Sequence, residues 1–169
     1  MSPAADTEEA TFRALIARHT GALERVARHY EVSNEARGDL AQEILVALWR
    51  AHGNFRGDSS ERTWVYRIAH NVAVSHVARA IRTRRDAAAL ASVPQPDPEP
   101  GPDEVTQGRQ ALRRLERLIF QLDVQSRQLV LLALEGCSTA EIAEVTGLSA
   151  TNVTTRLSRL RKQLAEVEP

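Results

Sequence analysis

Two clusters of side chains in this sequence are of the types that contact other molecules. The first lies near the C-terminus, where residues 138–164 read STAEIAEVTGLSATNVTTRLSRLRKQL. If the second half of this run is helical, Thr151, Asn152, Thr155, Arg156, Ser158, Arg159 and Lys162 share its outer face. Arginine can fork onto guanine, asparagine onto adenine, and hydroxyls onto bases or phosphates. Ser149 can cap this helix, whose N-terminus attracts an anion such as phosphate. Residues 149–165 hold four bases and no acid. A hairpin with a solvated polar face is the plainer account. The glycine-containing turn, the two caps and the lack of acids favour duplex DNA as the partner.

The second cluster is aromatic and basic. Trp49, Phe55, Trp64 and Tyr66, four of seven aromatics, fall within eighteen residues, with Arg56, Arg62 and Arg67 interleaved. Aromatic faces stack on unpaired bases while arginine holds the backbone, so the mixture suits single-stranded nucleic acid. Periodicity alone would instead make Trp49 and Trp64 core residues, and composition leaves both readings open. The stretch Phe55, Arg56, Gly57, Asp58, Ser59, Ser60 adds flexible backbone and small polar groups, enough to hold an extruded base.

Catalytic and metal chemistry find little support. His19, His29, His52, His70 and His76 form no HExxH pattern, and no phosphate-binding glycine loop or paired-cysteine metal site occurs. No metal and no cofactor are expected, and the chain reads as a non-enzyme. Cys137, the single cysteine, has no internal disulfide partner and reads as a packing residue.

The elements that must position these clusters are helices. Phe12, Leu15, Ile16, Leu23, Val26 and Tyr30 mark one apolar face. Leu40, Ile44, Leu48 and Trp49 mark a second. Trp64, Val65, Ile68, Val72, Val77 and Ile81 mark a third, in a helix capped by Ser59 or Ser60 and running to about residue 85. Leu112, Leu115, Ile119 and Leu122 mark a fourth, and RQLVLLALEG a fifth that ends at Gly136. In the C-terminal cluster Ser138 or Thr139 caps a short helix with help from Glu141. Ile142, Ala143 and Val145 face inward, Gly147 makes the turn, and Val153, Leu157, Leu160 and Leu164 form the next buried stripe. A short helix, a tight turn and a longer basic helix make a helix-turn-helix.

Between the two groups of helices lies PQPDPEPGP, with five of the seven prolines on alternate positions. Such a run joins no helix and favours extended backbone. The fold class is therefore all-α: two small helical domains, residues 1–85 and 107–169, joined by an acidic, proline-rich linker, residues 86–106. Fully extended, that linker could span roughly 65 Å. The net charge of zero conceals strong segregation: residues 55–85 carry seven arginines against two acids, and residues 86–107 five acids and no base. The acidic N-terminus lacks the form of a secretory signal, and no apolar run has the ~20 residues of a membrane span. A cytoplasmic protein without membrane insertion is expected.

The runs DLAQE and LW, then FRGDSSERTWVYRIAHN, then LSATNVTTRLSRLR, taken in this order, resemble the extracytoplasmic-function group of the sigma-70 family of RNA polymerase sigma factors. The resemblance covers nearly the whole chain. It implies a region 2-like domain, a variable linker and a region 4-like helix-turn-helix. It implies that Asp39, Gln42, Glu43, Leu48 and Trp49 dock on the β′ clamp helices of core RNA polymerase, and that the C-terminal domain engages the β flap. Phe55–Ser60 would take up a flipped base of the −10 element, and Arg62, Trp64, Tyr66, Arg67 and Asn71 would help melt and hold that element. Ser149, Thr151, Asn152, Thr155, Arg156, Ser158, Arg159 and Lys162 would read the −35 element as duplex. The acidic linker would pass toward the RNA exit path, and an anti-sigma factor is the implied regulator. The sequence departs from the family at Ala36, Arg37 and Gly38, where acids are common, and at Thr154, where a lysine is common. Its end, a few residues past the last helix, leads us to expect no additional C-terminal domain. A stand-alone helix-turn-helix regulator is the alternative, but it leaves the aromatic-basic cluster without a task.

Overall fold

Apolar residues at helical spacing organise the chain as the sequence predicts. The computed structural model describes residues 3–87 and 107–166, so the proline-rich linker lies outside the described residues. There are seven helices and no strand among them: α1 Pro3–Tyr30, α2 Asn34–His52, α3 Glu61–Ala87, α4 Gln107–Gln121, α5 Val124–Leu134, α6 Thr139–Thr146 and α7 Ala150–Glu166. Helix α3 runs two residues past the boundary expected at residue 85.

Helices α1, α2 and α3 form the N-terminal unit. Leu15, Leu23 and Val26 of α1 meet Leu40, Ile44 and Leu48 of α2 and Val65, Ala69 and Ala73 of α3 in the buried core. Each fully buried leucine or isoleucine contributes about 1.5–3 kcal/mol by removing apolar surface from water. Ser33 caps α2, accepting from the Ala36 amide at 3.2 Å. Arg37, where the family commonly has an acid, closes the α1–α2 turn. It donates to the Glu31 carbonyl at 2.9 Å and to Asn34 Oδ1 at 3.1 Å. Ser60, rather than Ser59, caps α3, accepting from the Thr63 amide at 3.0 Å. Glu61 anchors that end to α1, receiving Arg18 through two nitrogens at 3.0 and 2.8 Å and lying 2.9 Å from His19 Nε2. Those hydrogen bonds, Arg18 first, hold the Glu61 carboxyl below its ordinary range. His70 is fully buried and pairs with the Tyr30 hydroxyl at 3.0 Å. Burial lowers its pKa to about 4.

Helices α4 to α7 form the C-terminal unit. Asp123 caps α5, accepting from the amides of Gln125 and Ser126 at 3.1 and 3.0 Å. Arg127 is buried at the α4–α5 turn, donating to the carbonyls of Phe120 and Leu122 at 2.7 and 3.2 Å. Gly136 and Gly147 both take positive φ, +75° and +73°, reversing the chain after α5 and α6. A side chain at either position would be strained by the backbone conformation alone. Ser138 and Glu141 make the reciprocal capping box expected at the start of α6.

The two units are not held apart. Helix α3 lies against α5 and α6, and α1 against α4.

Candidate nucleic-acid interfaces

Helices α6 and α7 form the helix-turn-helix. Ile142 and Val145 of α6, with Val153, Leu157 and Leu160 of α7, are buried between them, and Ala143 and Leu164 are half-buried. That stripe fixes which side of α7 faces out. Ser149, Thr151, Asn152, Thr155, Ser158, Arg159 and Lys162 are all exposed, and Arg156 is half-buried. The first turns are ordered before any ligand arrives. Ser149 Oγ accepts the Asn152 amide at 3.2 Å, and Arg156 Nε donates to Asn152 Oδ1 at 3.0 Å. The Thr155 hydroxyl donates to the Thr151 carbonyl at 2.9 Å. A basic, acid-free face with its polar groups already aimed loses less entropy on binding.

The aromatic-basic cluster is arranged differently. Arg56, Gly57, Asp58 and Ser60 are exposed, Ser59 and Phe55 half-buried, and Asn71 exposed. Gly57 has φ +77° with open space around it, so the loop needs glycine for its backbone and not for room. Trp64 and Tyr66 are corrected by the structure: both are buried, at 6% and 3% exposure, so neither offers a face to a base here. Trp64 sits beneath Phe55, ring centres 5.0 Å apart, and is a core residue in this arrangement. Tyr66 lies under the C-terminal unit. Arg62 and Arg67, its flanking cations, are half-buried at the same junction.

That junction converges on glutamates of α5 and α6. Glu135 caps α5 and accepts Arg25 through Nε at 2.5 Å and Nη2 at 2.8 Å. The Tyr66 hydroxyl donates to the same carboxylate at 2.8 Å, and Arg62 donates to the Glu135 carbonyl while its guanidinium lies 5.2 Å from the centre of the Tyr66 ring. Thr63 Oγ1 reaches Glu141 Oε1 at 3.2 Å, and Arg67 pairs with Glu144 at 3.3 Å. The Arg25 hydrogen bonds, then that from Tyr66, hold the Glu135 carboxyl below its ordinary range against the opposing effect of burial. The sequence reading missed Arg25, Glu135 and Glu144 altogether. One signal was present: an acid at a helix C-terminus sits against the negative end of the dipole and implies a compensating cation.

The outer face of α2 is the third surface. Asp39 and Gln42 are exposed, and Trp49 is 44% exposed with its ring 5.0 Å from Phe12. Leu48 is a correction: it is wholly buried in the α1–α2–α3 core, because the spacing that aligns it with Leu40 and Ile44 turns it inward. It supports the surface from beneath. Leu45 and Val46, which sequence reading passed over, stand exposed beside Trp49 at 38% and 40%. Glu43 is half-buried and already paired, lying 3.1 Å from His76 Nδ1 and also bound by Arg79. Burial pushes the Glu43 carboxyl up, but these partners leave it below its ordinary range. His76 in turn lies 3.0 Å from Glu31 through Nε2. Glu43 and Val46 of α2 and Arg79 of α3 are among the residues lining an open cleft of about 650 Å³ between the two helices.

Two family models match the chain. Sigma-70 region 2 covers residues 15–83, and Sigma-70, region 4 covers residues 112–164. Among curated proteins, the RNA polymerase sigma factor CnrH of Cupriavidus metallidurans is 32% identical, the match taking in 96% of this chain and 88% of that protein. The ECF RNA polymerase sigma factor SigM of Mycobacterium tuberculosis is 29% identical over 92% of this chain and 76% of its own length. A solved structure of CnrH in complex with the cytosolic domain of CnrY superposes with a TM-score of 0.64 at 28% identity, covering 94% of this chain and 88% of that one. The sigma factor RpoE in complex with the anti-sigma factor NepR, from Bartonella quintana, reaches 0.74 at 20% identity over 94% and 99%, a likeness of fold. No helix among the described residues is long and apolar enough to cross a membrane.

Proposed function

This chain belongs to the extracytoplasmic-function group of the sigma-70 family, and from that premise we propose how its surfaces divide the work of initiation. It is an alternative sigma factor that joins core RNA polymerase and directs it to promoters. Its contribution is binding energy, which goes into selecting and opening DNA, while polymerase performs the synthesis. It works in the cytoplasm, where polymerase and promoter DNA are.

Residues 1–85 bind polymerase and open the −10 element, residues 86–106 link, and residues 107–169 read the −35 element. The polymerase surface centres on Asp39, Gln42 and Trp49, to which exposed Leu45 and Val46 add apolar area, with Glu43 at its edge. Phe55–Ser60 receives a base from the non-template strand, and Arg62, Arg67 and Asn71 hold the opened DNA. The outer residues of α7 enter the major groove. An anti-sigma factor regulates the protein by covering these surfaces. The solved structure of CnrH, a complex with the cytosolic domain of CnrY, supports a protein partner of this kind.

One observation carries the division: the face of α7 is exposed, basic and free of acids, whereas the apolar face of α2 lies elsewhere on the molecule. A stand-alone regulator would need only the first. The test is transcription by bacterial core polymerase on genomic promoter fragments with the purified protein added. New defined transcripts are expected. Their absence across core enzymes from related bacteria, with duplex binding unaffected, contradicts the assignment.

A further inference from the structure

We propose that Arg18 and His19 of α1, acting through Glu61, are positioning residues for the base-receiving loop: they clamp its exit so that it meets the −10 strand in one conformation. The inference rests on the reading of Phe55–Ser60 as the loop that receives a base. Residues 53–60 connect α2 to α3. Their path is pinned near its entry by Phe55, whose ring lies 5.0 Å from that of Trp64. The exit is held by the Ser60 cap, which accepts the Thr63 amide at 3.0 Å, and by Glu61, the first residue of α3. Arg56, Gly57 and Asp58, between these anchors, are exposed. A loop pinned at both ends loses less entropy when it closes on a ligand.

Glu61 has an ordinary reason to stand at this place, since an acid in the first turn of a helix suits the positive end of its dipole. That role needs no partner on another helix. Glu61 nevertheless reaches α1, 43 residues back in the chain. Arg18 donates Nε and Nη2 to the two separate oxygens of its carboxylate, and His19 Nε2 lies 2.9 Å from Oε1. A bidentate pair fixes direction as well as distance. The side chains of Arg18 and Glu61 are 54% and 36% exposed, and that of His19 is 14% exposed. An ion pair so open to water adds little to the stability of the whole fold. Its effect is local, on where the loop ends. Without the clamp a smaller fraction of molecules holds the loop in its competent form, and the apparent affinity for the strand falls by the same factor.

The experiment uses the full chain assembled with core polymerase, on a promoter fragment that this protein transcribes. Each base of the −10 non-template strand is replaced in turn by 2-aminopurine, whose fluorescence rises when the base leaves the stack. Arg18→Ala and Glu61→Ala are each expected to lower the affinity read by that signal about fivefold, the upper end of what a solvent-accessible ion pair supplies. The double variant should lose no more than either single one, because both remove the same clamp. Affinity for core polymerase and the midpoint of unfolding should stay near wild type. The two substitutions change net charge in opposite directions, so bulk attraction to DNA predicts opposite effects. Equal losses are therefore the signature of the clamp. Effects of opposite sign, additive losses in the double variant, or an equal loss of polymerase binding overturn the proposal. A loop variant combining Arg56→Ala, Asp58→Ala and Ser59→Ala separates the two levels. If it lowers the signal while Arg18→Ala and Glu61→Ala do not, the positioning role alone fails. If it leaves the signal at wild type, the assignment of the loop fails and takes this proposal with it.

Discussion

Helix α7 shows solvent the side chains that its sequence marks for DNA, whereas α3 keeps several of its own covered. Thr151, Asn152, Thr155, Ser158, Arg159 and Lys162 are exposed, while Trp64 and Tyr66 are buried and Arg62 and Arg67 half-buried. Both helices are amphipathic. The difference arises from what packs against them. Helix α7 gives one stripe to α5 and α6, and among the described residues no helix covers its other side. The start of α3 is covered by its own unit at Trp64 and by the other unit at Tyr66. A surface of polar side chains is stable in water, whereas apolar aromatic rings gain by being covered. The contrast teaches that, of the two surfaces proposed for DNA, the one on α7 is open and the one at the start of α3 is largely covered.

The largest effect expected from breaking this contrast is at Trp64. Trp64→Ala removes a buried ring and should cost about 3–5 kcal/mol of stability, read by denaturant unfolding. Trp49→Ala, with half its ring in water, should cost far less and instead weaken binding to core polymerase. Equal destabilisation by the two substitutions would erase the distinction between a core tryptophan and a surface one.

A pH series tests the sheltered unit independently. His70 titrates near 4 when folded and near 6.5 when unfolded, because burial disfavours its charge. Between those values the unfolded chain binds the extra proton, so stability falls as pH drops from about 6.5 to 4, by up to about 3 kcal/mol from this group. His70→Phe should flatten that part of the profile, although it also removes the hydrogen bond with Tyr30. An unchanged slope would mean that His70 is not the proton acceptor.

Smaller effects are expected on α7, where nothing is buried by the changes. Asn152→Ala and Arg159→Ala should each weaken binding to a cognate −35 duplex by about 1–3 kcal/mol if they read bases. If Lys162 contacts a phosphate, Lys162→Ala should reduce the salt dependence by about one counterion with little change in sequence preference. Unfolding curves should stay at wild type for all three. A loss of stability in place of affinity would show that the exposed face of α7 has a structural task.

Much of the C-terminal unit was legible in the sequence because its signals are local. Ser138 and Glu141 stand three residues apart, Gly147 supplies the turn, and the spacing of Val153, Leu157 and Leu160 fixes the inward face. The N-terminal surface was less legible. Leu48 and Trp49 are neighbours of similar hydrophobicity, and only three-dimensional packing decides that one is buried and the other exposed. The interdomain contacts could not be read at all from periodicity. Arg25 and Glu135 are 110 residues apart, on opposite sides of the linker, and each by itself resembles an ordinary solvated charge. Arg37 shows the converse: an apparent departure from the family proves to be a clasp on the α1–α2 turn.

The most direct test of the two-arm account is the distance between its arms before and after polymerase binds. Donor and acceptor dyes on cysteines placed at Thr20 and Gln163, both exposed, with Cys137→Ala to remove the native thiol, report that distance by energy transfer. High transfer in the free protein and a clear fall on adding core polymerase are predicted. Transfer that is the same in both states, in a doubly labelled protein that still initiates transcription, would contradict the account.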